Sequence, residues 1–402
     1  MPRKLHPLPF MIGTFGTDLA PLRGPTPPPR PDRSCILIHG ATRLIEPPAS
    51  RGRTRPPRSG ARPAAPSGRG ERALLAGIRA RAAVTPGSHL RLGIGDDCAL
   101  IAVKAGEQIA VTTDLSIAGR HFDLAWHPPE IIGHRALARG LSDLAAMGAR
   151  PVAAFLSLGL PPELIAARGN PGRAWIDRFF DGFLALARQF STPLAGGDLA
   201  QSPVPAADVV LLGAVRRGKA LLRSAARPGD MIYVTGALGG AAAGLTRLRE
   251  FAQNRPATQN PAPRIPLKLR AAGAPHLCPQ PRVAQAAWLA KRSLAAAAID
   301  LSDGLSTDLR HLCDESGVAA EIDARALPIA AGAAFDEALN GGEDYELLFT
   351  ARPGARIPRS IAGVKITKIG RVRSRSALKP IVTLLSGQRR EAVEPRGWEH
   401  FR

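Results

Sequence analysis

The chain has 402 residues, 45% of them hydrophobic and only 4% aromatic, and carries a formal charge of +21 from 54 basic and 33 acidic side chains. It contains no apolar run of the ~18 residues that a membrane-spanning helix needs, which excludes a helical membrane protein. Its four cysteines, Cys35, Cys98, Cys278 and Cys313, form no Cys-x-x-Cys pair, which argues against a zinc site or a disulfide framework and fits a reducing cytoplasm.

Residues 1–70 hold 15 of the 38 prolines, with twelve basic and three acidic side chains. This composition predicts a disordered Pro/Arg-rich extension, in which only residues 35–39 read as a strand. A basic arm can bind nucleic acid, but stacking wants aromatics among the bases, and the arm has only Phe10 and Phe15. Specific nucleic-acid binding is not expected. Order begins near Glu71, where Ala73, Leu74, Leu75, Ile78 and Ala82 recur at helical spacing. A glycine–aspartate turn at 93–97 leads to strands near 98–103 and 108–113. Pro128, Pro129 and Glu130 open a helix that runs to about Met147 and is stopped by Gly148 and Pro151. A buried strand at 153–160, a helix at 175–190 and a strand at 208–215 follow. Residues 221–230 read as a boundary, giving domains 71–222 and 223–402. Beyond it, a strand at 231–236 and a helix at 241–249 precede residues 251–282, whose Pro, Asn and Gln predict a long loop. A helix from Val283, a strand at 294–299 and a helix through Asp314 complete the alternation, which indicates two α/β domains.

Asp96, Asp114, Asp143, Asp198 and Asp303 stand beside Gly, Ser or Thr where apolar segments end, and Asp97 and Asp300 belong to the same strings. Any one is an ordinary turn or helix cap. Together they suit Mg²⁺, a hard cation that bridges a few carboxylates to substrate phosphates. Other motifs carry less. Residues 213–219 approach a phosphate-binding loop but end in Ala220, where a Ser or Thr is required, and Gly213 sits in a strand pattern. Gly236, Gly239 and Gly240 lack dinucleotide spacing. Ser142 and Ser302 each adjoin an Asp, with no histidine at a characteristic spacing for serine-hydrolase chemistry. Gly341-Gly342-Glu343-Asp344-Tyr345-Glu346 allows close backbone approach to a ligand beside an acid.

These strings, in order from about Gly70 to Phe401, resemble the thiamine-monophosphate kinase family of the aminoimidazole-ribonucleotide-synthetase-like superfamily. The matches are Gly-Ile-Gly-Asp-Asp-Cys-Ala-Leu (93–100), Thr-Thr-Asp (112–114), His-Phe (121–122), Leu-Ser-Asp-Leu-Ala-Ala-Met-Gly-Ala (141–149), Gly-Gly-Asp (196–198) and Arg-Ser (223–224). The second half adds residues 228–236, 299–305, 341–347 and 397–401. The resemblance implies a mixed α/β, two-domain architecture whose N-terminal domains pair in a homodimer, with ATP between the two domains. It implies transfer of the ATP γ-phosphoryl group to thiamine monophosphate. It maps the Mg²⁺ set onto Asp97, Thr112, Thr113, Asp114, Asp143, Asp198, Asp300 and Asp303, with Asp114, Asp143 and Asp198 catalytic. ATP would meet Gly197, Asp198, Arg223 and Ser302; the acceptor would meet His121, Glu343 and Trp398. Leu199-Ala200 departs from the threonines usual in the family, which bears on hydrogen bonding near ATP. Other readings are a ribonucleotide cyclase or selenophosphate synthetase of the same superfamily, a nucleic-acid-binding protein, and a catalytically dead homologue. Gly-Gly-Glu-Asp-Tyr and the terminal Gly-Trp-Glu-His-Phe favour the kinase.

Overall fold

The computed structural model describes residues 71–82, 89–94, 98–165, 174–253 and 265–398. The expected disordered extension, the strand at 35–39, and Asp96 and Asp97 lie outside them. The first described element is the helix Glu71–Arg81.

The N-terminal lobe is built on a four-stranded sheet in the order Glu107–Ile117, Ala206–Arg216, Arg150–Leu160, Leu194–Gln201, antiparallel except for its last pair. Strand alternation sorts the edge strand by face. Ala110, Thr112, Asp114 and Ser116 turn inward, opposite Leu211 and Val209 of the next strand. Ile109, Val111 and Leu115 turn the other way and are 50%, 60% and 49% exposed. Two helices, Pro129–Ala146 and Trp175–Gln189, cover the inner face, where Phe179, Phe180 and Phe183 fill the core. They touch backbone to backbone. A Cβ on Gly133 would lie 2.0 Å from the Phe179 carbonyl oxygen, and one on Gly182 would lie 1.7 Å from that of Glu130. Any larger residue at either position would push the helices apart.

The C-terminal lobe holds an eight-stranded sheet. Its main path runs Arg389–Ala392, Val382–Ser386, Val318–Asp323, Val364–Ser374, Met231–Thr235, Leu347–Ala351, Ala298–Asp300, and Ser360–Ile361 pairs with Val364–Ser374. The helix Leu305–Ser316 packs on it through Leu305, Leu309 and Leu312. The helix Pro129–Ala146 also touches this lobe, meeting the strand Ala298–Asp300 and the helix Val283–Lys291. It is therefore buried on nearly every side.

Two expectations need correction. Residues 251–282 are not one long loop: the helix Gly240–Gln253 enters them, and Leu267–Ala272 and Ala274–Leu277 are short helices. A few apolar residues in that polar stretch, Ile265, Leu269 and Leu277, pack with Leu248, Trp126 and Ile131 and hold it in place. The strand expected at 294–299 is only Ala298–Asp300, where it pairs with Leu347–Phe349 positions of its neighbour. Gly213 is mid-strand, opposite Ala110 and Pro151, which rules out a phosphate loop there. Among the described residues no helix is long and apolar enough to cross a membrane.

Candidate active site

The helix Pro129–Ala146 carries Arg135, Arg139, Ser142 and Asp143 at i, i+4, i+7 and i+8, one stripe of an α-helix. At the stripe's C-terminal end, Thr112 Oγ1 donates to Asp143 Oδ2 at 2.5 Å. Arg139 pairs with Asp114 at 2.9 Å. Ser142 Oγ donates to Asp300 Oδ2 at 2.8 Å, joining the two lobes. Burial pushes the Asp114 carboxyl up to about 6; Arg139 opposes this and Asp143 adds to it. Burial also raises Asp143, against the hydrogen bond from Thr112 and the charge of Arg223. Asp300 is raised by burial and then by Asp143. Asp143 also lies in the last turn of its helix, which has no basic residue, so it faces the negative end of the helix dipole. The three carboxylates therefore repel one another and the helix end.

These groups open onto a cavity of about 630 Å³ lined by both lobes. Asp114, Asp143, Ser302 and Asp303 border one part of it, and His276 and Glu343 another. Glu343 accepts from Arg135 Nη2 at 2.6 Å and lies 3.1 Å from His276 Nδ1. Burial would raise its carboxyl, but Arg135 and His276 outweigh burial and hold it well below the usual range. Glu343 and Tyr345 have φ of 66° and 49°. Left-handed backbone at non-glycine residues is a strain that persists where the surroundings impose it, often at functional sites. Trp398 is half exposed at the cavity; its backbone N–H donates to the Asp303 carbonyl at 3.1 Å. The preceding Gly397 allows this approach, since a Cβ there would lie 2.1 Å from the same carbonyl oxygen. His121 lines the cavity too, its Nδ1 accepting from the Ile117 N–H at 3.1 Å.

Of the residues expected at the site, Thr112, Asp114, Asp143 and Asp300 form one cluster, and His121, Ser302, Asp303, Glu343 and Trp398 line the cavity beside it. Arg223, in the turn Arg223–Ala225, acts electrostatically on Asp143 and Asp300. Thr113 points its side chain to the opposite, exposed face of the sheet. Gly197 and Asp198 do not join the cluster. Asp198 aligns across the sheet with Ser157, Asp208 and Leu115, on the outer face and three strands, roughly 14 Å, from the edge strand. Leu199 and Ala200 line a separate apolar pocket of about 190 Å³. Arg135, Arg139, Trp126, His127 and His276 belong to the site and were not anticipated. The i, i+4 spacing of Arg135, Arg139 and Asp143 was the one available signal; His276 lay in the stretch read as a loop.

Comparisons with known proteins give the family. A profile described as AIR synthase related protein, N-terminal domain, matches residues 95–215, and the corresponding C-terminal domain matches residues 227–382. The thiamine-monophosphate kinase of Salmonella typhimurium is 40% identical over 292 residues, covering 70% of this chain and 83% of its own. The crystal structure of thiamine-monophosphate kinase from Stenotrophomonas maltophilia superposes with a TM-score of 0.65 at 39% identity, over 77% of this chain and 95% of that one. The AaThiL complex with AMPPCP and TMP superposes at 0.61 with 28% identity, over 83% and 97%.

Proposed function

The chain belongs to the AIR synthase related family and, within it, to the thiamine-monophosphate kinases, and on that premise we propose how its cleft transfers the γ-phosphoryl group of ATP to thiamine monophosphate, giving thiamine diphosphate and ADP. The observation that carries the proposal is one cavity bordered by a self-repelling carboxylate cluster and by an ionised, arginine-held glutamate.

The cluster fits hard divalent cations. Its donors are oxygens from Thr112, Asp114, Asp143 and Asp300, their charge is under-compensated, and the helix end beside them favours positive charge. Mg²⁺ bound there, with Asp303 at the cavity edge and Asp97 in the same set, would neutralise the phosphates of two mutually repelling reactants. The protein's own part is positional. Thr112 and Ser142 orient two carboxylates by hydrogen bonds, and Arg139 fixes the third. Arg223 and Ser302 meet the ATP phosphates. The acceptor oxygen belongs to an already ionised phosphate, so the reaction asks for alignment and charge stabilisation more than for a general base. Glu343 accepts from the aminopyrimidine, Trp398 stacks on a ring of the acceptor, and His121 steadies it.

The functional unit is a homodimer. Ile109, Val111 and Leu115 form an exposed apolar row on an edge strand. Asp198 shares that outer face, so a second copy seated there would receive it, and Asp198 would serve the partner's cleft. The N-terminal domain, residues 71–222, supplies this face, and residues 223–402 close the cleft. Cys98, Cys278 and Cys313 are free thiols, in keeping with a cytoplasmic setting.

The test is product analysis. Purified protein with ATP, Mg²⁺ and thiamine monophosphate should yield thiamine diphosphate and ADP, and free thiamine should not be phosphorylated. Absence of thiamine diphosphate would overturn the assignment. Mixing inactive Asp143→Asn and Asp198→Asn proteins should restore turnover if Asp198 acts across a dimer, and should restore none if it acts within one chain.

A further inference from the structure

Behind Glu343 lies a pair of histidines that the phosphoryl-transfer scheme does not use. His127 and His276 are 149 residues apart and each is only 2% exposed, yet their Nε2 atoms are 3.1 Å apart. Trp126 stacks on His127 with ring centroids 3.7 Å apart. Buried polar atoms are costly unless each has a partner, so the protons in this pair can be placed one by one.

The Asp123 backbone N–H donates to His127 Nδ1 at 2.9 Å. That nitrogen is therefore an acceptor, and the neutral ring carries its proton on Nε2. His127 Nε2–H then donates to His276, whose Nε2 must accept. The proton of His276 is left on Nδ1, which faces Glu343 Oε2 at 3.1 Å. Arg135 Nη1 also lies 3.4 Å from His276 Nδ1, but two donors cannot bond each other; Arg135 donates instead to the His276 carbonyl. Both rings stay neutral. Burial, and after it the charge of Arg135, brings His276 down to about 4 and His127 to about 2; Arg249 also lowers His276, while Glu343 opposes the shift in each. Only one arrangement of protons satisfies the chain from backbone to carboxylate.

We propose that His276 is a positioning residue for acceptor recognition, and that His127 acts behind it by fixing its tautomer. Together with Arg135 they leave Glu343 in one orientation, with both oxygens held from behind and its remaining lone pairs turned to the cavity. The ligand feature selected is an N–H donor on a flat heteroaromatic ring. This rests on the kinase reading of the site and adds the residues that set its selectivity.

Asparagine places its amide nitrogen near the Nδ1 position of histidine, whereas glutamine places it near Nε2. His276→Gln should therefore lose the donor to Glu343 and raise the KM for thiamine monophosphate about tenfold, with kcat and the KM for ATP nearly unchanged. His276→Asn should recover most of that loss. At His127 the preference reverses: His127→Gln, which keeps the Nε2-side donor, should outperform His127→Asn. Glu343→Gln combined with His276→Gln should cost less than the sum of the two single changes, because both remove one interaction. Circular dichroism and melting curves check the fold of each variant. Equal KM values for the Asn and Gln variants at both positions, a loss confined to kcat, or full additivity with Glu343→Gln would overturn the proposal and leave the kinase assignment intact. A wild-type protein that makes no thiamine diphosphate would overturn both.

Discussion

At the Asp143 end of the cleft, one buried and two partly buried carboxylates share one close cation, Arg139; at the Arg135 end, a single carboxylate, Glu343, is held by both an arginine and an imidazole. The two ends stand on one stripe of one helix, and their charges respond to burial in opposite ways. Asp114, Asp143 and Asp300 are pushed up, towards neutrality, while Glu343 is held down, ionised. A group of charges that is neutralised within the protein keeps its shape without a ligand. One that is not stays short of positive charge until a cation arrives. On the proposed reading, a preformed recognition end thus stands beside an end that a bound ion completes.

The strongest way to break this contrast is to remove one charge from the incomplete end. Asp143→Asn should lower turnover about a thousandfold at saturating ATP and Mg²⁺. The metal-free variant should melt no lower than the parent, since a self-repelling charge has gone. Near-normal turnover, or a clear drop in Tm, would show that Asp143 is a structural carboxylate.

The converse change, at the completed end, should do its damage to stability. Arg135 is buried, and Arg135→Met would leave Glu343 with one neutral imidazole as its partner. A loss of about 3–5 kcal/mol is expected, read as a lower denaturation midpoint with Mg²⁺ absent. An unchanged midpoint would mean that Glu343 is already solvated.

A metal titration sharpens the difference at intermediate size. Asp114 and Asp300 have folded pKa values raised above the ordinary 3.8, so their contribution to stability is full below about 4 and is lost as pH rises through 6 and beyond. Mg²⁺ binds the ionised form. At a Mg²⁺ concentration a hundred times its Kd, the gain at pH 8 should approach about 2.7 kcal/mol, and it should be distinctly smaller at pH 5.5. Equal shifts at both pH values would remove the cluster as the binding site.

The histidines give an effect of the opposite sign. His127 and His276 have folded pKa values below the ordinary 6.5, so their contribution is full above that pH and is lost as pH falls towards 4. His127→Gln should flatten the acid limb between pH 6.5 and 4 by up to about 1.4 kcal/mol per pH unit, measured by denaturant unfolding at several pH values. An acid limb of unchanged slope would mean that His127 is protonated in the folded protein.

The two ends also differ in how far they can be read from sequence. The carboxylate end is visible because Asp114 and Asp143 each follow a Thr or Ser and Asp300 ends an apolar run two residues before Ser302, and the two-domain alternation around them is clear. The recognition end is visible only in His121, Glu343 and Trp398. Arg135 looks like any helical arginine, and His127 and His276 gain meaning only when the fold closes a gap of 149 residues. Asp198 is a subtler case. Its Gly-Gly-Asp string marks a functional segment, but only the strand registers reveal that it faces away from its own chain's cleft.

The close docking of the two helices at Gly133 and Gly182 has one more consequence. It pins the helix Pro129–Ala146 along its axis, so the eight-residue separation between Arg135 and Asp143 acts as a gauge of fixed length, about 12 Å between their Cα atoms at 1.5 Å per residue. A deleted residue between them would shorten the gauge and swing one end about 100° around the axis. On the proposed assignment of the two ends, the acceptor is measured as well as recognised. A molecule with the right ring but a shorter or longer bridge to its phosphate would hold one end of the gauge and miss the other.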